Sequence, residues 1–366
     1  MRADWLQLSG FRSYQELKWT PAPGVNILIG ENGAGKTNLL EAIGYVTRLR
    51  SFRSVGDQDL IADDVESAVI RTGISEEDRD RLVEIEIRRT GPRRALVDGK
   101  AVRRTSDMLD VARVITFLPD DLDLVKRGPV YRRDLLDDLA VQLWPASALD
   151  QSEYERALRQ RNAFLKAGER DDMTLSVWDT RLAQAGGRVL ARRARALETL
   201  APLLDSAYRE ISDTSQTVRL TYRPTWGGTT LDNRSAGEYT EDIITALQSS
   251  RRIDRDRRLT TVGPHRDEPG FEIDEADART HGSQGEQRSV SLAIRLASHR
   301  AVSETTNRSP ILLLDDVFSE LDPGRSEALA ASLPVDTQTM ISSARADDVP
   351  VLGAMWKVEG GGIREG

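Results

Sequence analysis

The chain contains no cysteine. That excludes disulfides, zinc–thiolate sites and a thiol nucleophile, and it suits a reducing compartment. No apolar run reaches the ~18 residues a membrane helix needs. The opening Met1-Arg2-Ala3-Asp4-Trp5 has no apolar signal core either. A cytoplasmic protein with no membrane partner is expected. Internal repeats and low-complexity tracts are also missing. An excess of positive charge is lacking too: the net charge is −8 over 366 residues. That argues weakly against a nucleic-acid partner, but binding depends on a local basic patch and not on the total. What is present, 39% hydrophobic and 30% charged residues, fits a globular protein large enough for two lobes.

One stretch organises the rest. Gly30-Glu31-Asn32-Gly33-Ala34-Gly35-Lys36-Thr37 reads G-x-x-x-x-G-K-T, a phosphate-binding loop. Val25 to Ile29 before it is a continuous apolar run, as in a strand buried on both faces. Leu39, Leu40, Ile43, Val46 and Leu49 follow at helical spacing. The glycines let Gly30, Asn32, Gly33, Ala34 and Gly35 aim backbone N–H groups at an anion, and the helix dipole adds to that site. Lys36 is expected on the β/γ-phosphates of ATP, and the Thr37 hydroxyl on Mg²⁺.

Residues 3 to 8 and 14 to 19 read as short strands, with Leu17 and Trp19 on one face. Residues 68 to 74 and 82 to 88 alternate, and Asp98-Gly99 signals a hairpin turn. Val111 to Phe117 is another apolar run. From about 131 to 213 the pattern is helical, with Gly186-Gly187 and Pro202 expected to interrupt it. A strand from Val218 to Tyr222 and a helix near 238 to 249 come next. Arg251, Arg252, Arg255, Arg257 and Arg258 then form the densest basic cluster, diluted by Asp254 and Asp256.

The acidic half of the site lies far downstream. Pro310 to Asp316 reads as a buried strand ending in two acids, expected beside the phosphate-loop strand. Asp315 would hold Mg²⁺, and Asp316 would position an attacking water. Ser283-Gln284-Gly285-Glu286 is a capping box before a helix, which leaves Ser283 and Gly285 ready for a phosphate.

Leu313 to Asp316 with Ser319-Glu320-Leu321-Asp322-Pro323 resembles the Walker B and D-loop run of ABC-type ATPases. Nearly the whole chain resembles a narrower family, the bacterial recombination mediators called RecF. The carrying stretches are Leu8 to Tyr14, the phosphate loop, Ser51-Phe52-Arg53, Phe117 to Arg133, Gly263 to Asp267, Ser283 to Ser289 and Leu312 to Asp322. The resemblance implies an α/β fold, an ABC/Rad50-like ATPase head without a long coiled coil. A β-rich ATP-binding lobe would span 1–118 plus 300–366, and a mostly helical second lobe 119–299. It also implies an ATP-dependent homodimer in which Ser283, Gly285 and Asp322 help bind the other subunit's nucleotide. Such a protein would bind duplex DNA and gapped junctions, act with RecR and RecO, and help load RecA in recombinational repair.

Departures from the broad ABC pattern point to slow ATP hydrolysis. Leu118-Pro119-Asp120 stands where a glutamine is usual, and Asp316 where a glutamate is. No histidine lies near Ser342-Ser343; the three histidines are His265, His281 and His299. The alternatives are an ATPase subunit of a transporter or of a nuclease. Candidate DNA contacts are Arg53, Arg132, Arg133, Arg192, Arg193, Arg251 and Arg252, weighed against solvated or self-neutralised surface. His265-Arg266 is expected at the lobe junction or on DNA.

Overall fold

Continuous apolar runs fold as parallel strands and alternating runs as antiparallel ones, as burial on two faces or one demands. The computed structural model describes residues 1–366 apart from 54, 77, 78, 103, 170, 228 and 229. The chain divides into two compact units: Met1–Leu122, Glu210–Asp213 and Ile294–Gly366 form one, Asp123–Arg209 and Thr214–Ala293 the other. The expected cuts at 118 and 299 therefore shift by a few residues, and 210–213 moves to the first unit. Two ion pairs lie inside that unit: Arg295 holds Asp121, and Arg300 holds Glu210 at 2.7 Å.

The chain opens with β1 (Arg2–Phe11), β2 (Tyr14–Trp19), β3 (Val25–Ile29) and α1 (Lys36–Arg48). There follow β4 (Ser67–Glu76), β5 (Arg79–Arg88), β6 (Arg94–Val97), β7 (Lys100–Ala101), α2 (Thr105–Met108) and β8 (Val114–Phe117). The middle of the chain supplies α3 (Pro129–Leu143), α4 (Ser147–Ala167), α5 (Asp172–Ser212), β9 (Val218–Arg223) and α6 (Ala236–Arg257). Next are β10 (Glu268–Ile273), β11 (Ala276–Asp277) and α7 (Gln284–Thr306). The last stretch holds β12 (Ile311–Asp315), α8 (Pro323–Ser332), β13 (Thr339–Ser343), β14 (Ala354–Glu359) and β15 (Gly362–Glu365).

Two sheets build the first unit. One is antiparallel, in the order β2-β1-β4-β5-β6-β7. On β5, Val83, Ile85 and Ile87 are buried and Glu84 and Glu86 are not, which is the alternation of a one-sided strand. Asp98 and Gly99 both take positive φ, as a two-residue hairpin loop requires. The other sheet has the order β15-β14-β3-β13-β12-β8, parallel except for β15. Contrary to expectation, the acidic strand β12 does not lie beside the phosphate-loop strand β3; β13 separates them. All five residues of β13 are buried, and a wholly buried strand takes a central slot.

Helix α1 is buried almost all round. Leu39, Leu40, Ile43 and Val46 share one core with Leu6, Leu8, Leu17 and Ile70 of the antiparallel sheet and Leu28, Leu313 and Met340 of the parallel one. A helix buried on nearly every side is packed on nearly every side. The helix that carries the phosphate loop is therefore fixed between two sheets.

The second unit is mostly helical, with one three-stranded sheet in the order β11-β10-β9. Helix α5 runs unbroken through Gly186-Gly187 and Pro202, contrary to expectation. The glycines serve packing instead: a Cβ on Gly187 would come within 2.3 Å of the Ala236 carbonyl oxygen, so only glycine lets α6 approach. Helix α6 continues to Arg257, so most of the basic cluster is helical. Arg161 of α4 is completely buried and binds Asp179 of α5 at 2.7 Å, Asp254 of α6 at 2.8 Å and Thr260 at 2.8 Å.

Candidate nucleotide site

The phosphate loop joins β3 to α1. Gly33 and Gly35 take φ of 84° and 110°, where a side chain would be strained. The carbonyl of Gly35 accepts a hydrogen bond from the buried Tyr14 hydroxyl at 3.1 Å, so a strand of the antiparallel sheet braces the loop. Burial pushes the Tyr14 phenol up, keeping it a donor. Lys36 is 4% exposed, and its Nζ donates to the carbonyls of Gly30 (2.8 Å) and Glu31 (3.1 Å). An ammonium has three donors, so one is left for a ligand.

Thr37 and the acids converge. The Thr37 hydroxyl donates to Asp315 Oδ1 at 2.8 Å, and the Ser342 hydroxyl to the same oxygen at 2.7 Å. Burial raises the Asp315 carboxyl above its ordinary value; the two hydroxyls oppose that, the adjacent Asp316 adds to it, and the charge of Arg53 opposes it. Asp316 adopts φ 48°, unusual for a residue with a side chain. Its N–H is held by the Ser342 carbonyl (3.2 Å) and hydroxyl (3.0 Å). The buried Asp316 Oδ1 accepts no hydrogen bond. A hydroxyl and a carboxylate in contact, beside a carboxylate oxygen lacking a donor, suit a hard cation with its water shell. These residues fit Mg²⁺.

Sequence reasoning missed Ser342 and Glu41. Glu41 is completely buried on α1, one turn beyond Thr37. Arg12 grips it at 2.8 Å through both Nε and a terminal nitrogen, and the Ser51 hydroxyl donates to it. Ser51 Oγ also receives the Arg53 N–H at 2.9 Å. The Ser51-Phe52-Arg53 stretch is thus anchored to the phosphate-loop helix. A lone carboxylate within the apolar run of α1 was the available signal, since a buried charge needs a partner.

The remaining nucleotide candidates lie elsewhere. Asp322 caps α8 by accepting from the Arg325 N–H at 3.1 Å. Ser283 and Glu286 form the expected capping box at the start of α7, at 2.7 Å and 3.2 Å. Ser283 is exposed and Gly285 half-buried. Gln287, also missed, staples the preceding loop through the carbonyls of Ala278, Arg279 and Gly282.

The DNA candidates separate by burial. Arg132 is buried and donates to four carbonyls, of Leu124, Val125, Arg127 and Pro269. Arg193 is buried and forks onto Asp137 at 2.7 Å. Both are corrections: each is buried and held by partners inside the protein. Arg133 donates to the Asp267 carbonyl, Arg251 pairs with Asp179, and Arg192 lies 3.4 Å from Asp150. Arg252 and Arg53 are exposed. His265 is held by the Tyr154 hydroxyl at 2.7 Å and the Thr260 carbonyl at 3.2 Å, and burial lowers its pKa to about 4. A neutral, saturated imidazole is structural, so the DNA role weighed for His265 is not supported; Arg266 is exposed.

This fold and site define a nucleotide-binding head of the ABC type. The family model described as RecF/RecN/SMC N terminal domain matches residues 4–359. DNA replication and repair protein RecF of Acidothermus cellulolyticus is 39% identical over 352 residues, covering 94% of this chain and 95% of the relative. RecF of Streptomyces avermitilis is 37% identical, covering 96% and 95%. A solved structure of the recombination mediator RecF with ATPrS, from the RecFOR pathway, is 28% identical with a TM-score of 0.92, covering 100% of this chain and 98% of that one. An Smc head bound to a ScpA domain is 16% identical with a TM-score of 0.57, a likeness of fold alone. The chain belongs to the RecF family of SMC-like ABC-type ATPases. No helix among the described residues is long and apolar enough to cross a membrane.

Proposed function

We propose that this protein is an ATP-dependent DNA-binding recombination mediator of the cytoplasm, whose ATP-induced homodimer clamps duplex or gapped DNA. With RecR and RecO it promotes RecA loading in recombinational repair and replication restart. The observation that carries the reading is the meeting of Thr37 and Asp315 at 2.8 Å beside the Lys36 cradle, which brings the two halves of a nucleotide site together. The full-length similarity to RecF relatives favours this over a transporter or nuclease subunit.

In this reading the loop amides and Lys36 bind the phosphates, and Thr37 and Asp315 hold Mg²⁺. When bound, Mg²⁺ neutralises phosphate charge. Asp316 orients the attacking water through Oδ1, the buried oxygen that has no protein donor. Ser283 and Gly285 offer the amino end of α7 to the nucleotide of the partner subunit, and Asp322 supports that junction. An aspartate here reaches less far than a glutamate, so turnover is slow and ATP acts as a switch.

Solution mass tests this. Mass doubles with ATP and Mg²⁺ for the wild type, rises further with duplex DNA, and stays monomeric for Lys36→Ala. Binding of ATP with no change in mass or DNA affinity would remove the role given to Ser283 and Gly285. Asp316→Asn keeps the doubling but lowers turnover by about 10²–10⁴-fold; unaltered turnover would clear Asp316 of its role.

A further inference from the structure

Strand β9 is the edge of its sheet, and among the described residues no strand pairs with its outer side. Its register shows where its backbone points. The Thr217 carbonyl accepts from the Asp274 N–H at 3.0 Å, so Thr217 belongs to a bonded pair. In an antiparallel ladder such pairs alternate. Arg219, Thr221 and Arg223 are then bonded to β10, and Val218, Leu220 and Tyr222 face away. Two facts agree. The Val218 N–H donates to Asp205 Oδ1 at 3.1 Å, on the outer side. Pro269, which has no N–H to give, stands opposite Tyr222. The N–H and C=O groups of Leu220 and Tyr222 therefore point at open space.

That space is a groove of about 580 Å³. Its far walls include Ala194, Leu197, Glu198 and Ala201 of α5, with Leu231 and Asp232. We propose that β9 accepts an additional strand here, an extended segment of a partner protein in which acidic and apolar residues alternate. Unpaired edge groups supply the ladder, and alternate side chains supply the selectivity. Arg219 and Arg223 are exposed and share the outer face of β9. Arg219 makes no ion pair among the described residues, and Arg223 has only Asp277 at 3.9 Å. Every second residue of the incoming strand meets these cations and is acidic. The others meet the small apolar floor of α5, where Glu198 selects against a further acid. This docking surface does not depend on the nucleotide reading.

The test uses the full chain and a dye-labelled, end-blocked peptide of alternating glutamate and valine. The peptide binds saturably, and the Leu220 and Tyr222 amides, fast to exchange in the free protein, become protected. The R219E/R223E double variant binds it about tenfold more weakly and prefers a lysine–valine peptide instead. Leu220→Pro removes one outward N–H, leaves the β9–β10 bonds in place, and weakens both peptides. Absence of binding, or a charge reversal that does not switch the preferred peptide, overturns the proposal. Protection of the same two amides by a duplex oligonucleotide also overturns it, because the edge would then be a nucleic-acid surface.

Discussion

The nucleotide site of the first unit and the helical core of the second handle charge in opposite ways. At the nucleotide site of the first, the charged groups sit where strands end, and their partners are backbone carbonyls and hydroxyls: Lys36 on Gly30 and Glu31, Asp315 on Thr37 and Ser342. In the helical core of the second, two buried arginines sit between helices and are matched by full charges, while Arg132 faces carbonyls. Arg161 meets two aspartates, and Arg193 forks onto one. A charge facing neutral dipoles can still gain from an ion of opposite sign. A charge already facing its counter-ion gains little. The first arrangement awaits a ligand and the second holds helices together. Substitutions in the first arrangement should cost function and leave the fold, and those in the second arrangement should cost the fold.

The sharpest way to break that contrast is Arg161→Met. It takes the counter-ion from the completely buried Asp254 and leaves Asp179 with Arg251 alone, and loss of one partner from a buried pair costs about 3–5 kcal/mol. Urea unfolding of the full chain should show that loss, while Lys36→Ala, at a loop built for a ligand, should shift stability far less. Equal shifts for the two variants would end the distinction.

The units also share a feature, and acid tests it. Each holds one histidine whose pKa burial lowers to about 4, the half-buried His265 in the second and the buried His299 in the first. The Thr260 and Pro310 carbonyls can only accept, so Nε2 carries a proton in both, and the lowered pKa keeps the rings neutral near pH 7. The unfolded chain takes up a proton near pH 6.5, and the folded one only near 4. The stability they contribute is therefore present above pH 6.5 and falls as the pH drops toward 4. Between pH 6.5 and 5 each should cost about 1.5 kcal/mol. His265→Gln should remove one share of that slope and His299→Gln the other; a slope unchanged in both would mean that carboxylates dominate the acid transition.

The same contrast explains what could be read in advance. The phosphate loop, the acidic strand and the capping box are contiguous stretches whose chemistry follows from local backbone geometry, and they were legible. The strand order was not: β13 carries no signal that it separates β3 from β12, and its serine, now bound to Asp315, resembled the end of any buried strand. The arginines were less legible still. Nothing local marks Arg132 and Arg193 as buried or Arg252 as exposed, because the partners of the first two lie on other elements, as far away in sequence as Pro269 for Arg132.

The smallest effect is the most specific. Arg252 is exposed on α6 and makes no ion pair among the described residues, whereas Arg193 is saturated on Asp137, Tyr222 and the Pro264 carbonyl. If the second unit touches DNA at all, free cations carry the contact. Each phosphate contact adds about one to the slope of log affinity against log salt. Arg252→Glu should lower that slope by about one and leave stability unchanged. Arg193→Gln should do the reverse, lowering stability while the slope of the folded fraction holds. A slope that responds to Arg193 and not to Arg252 would mean that the buried arginines open toward DNA on binding, and the division between a ligand-facing unit and a self-satisfied one would then hold only for the free protein.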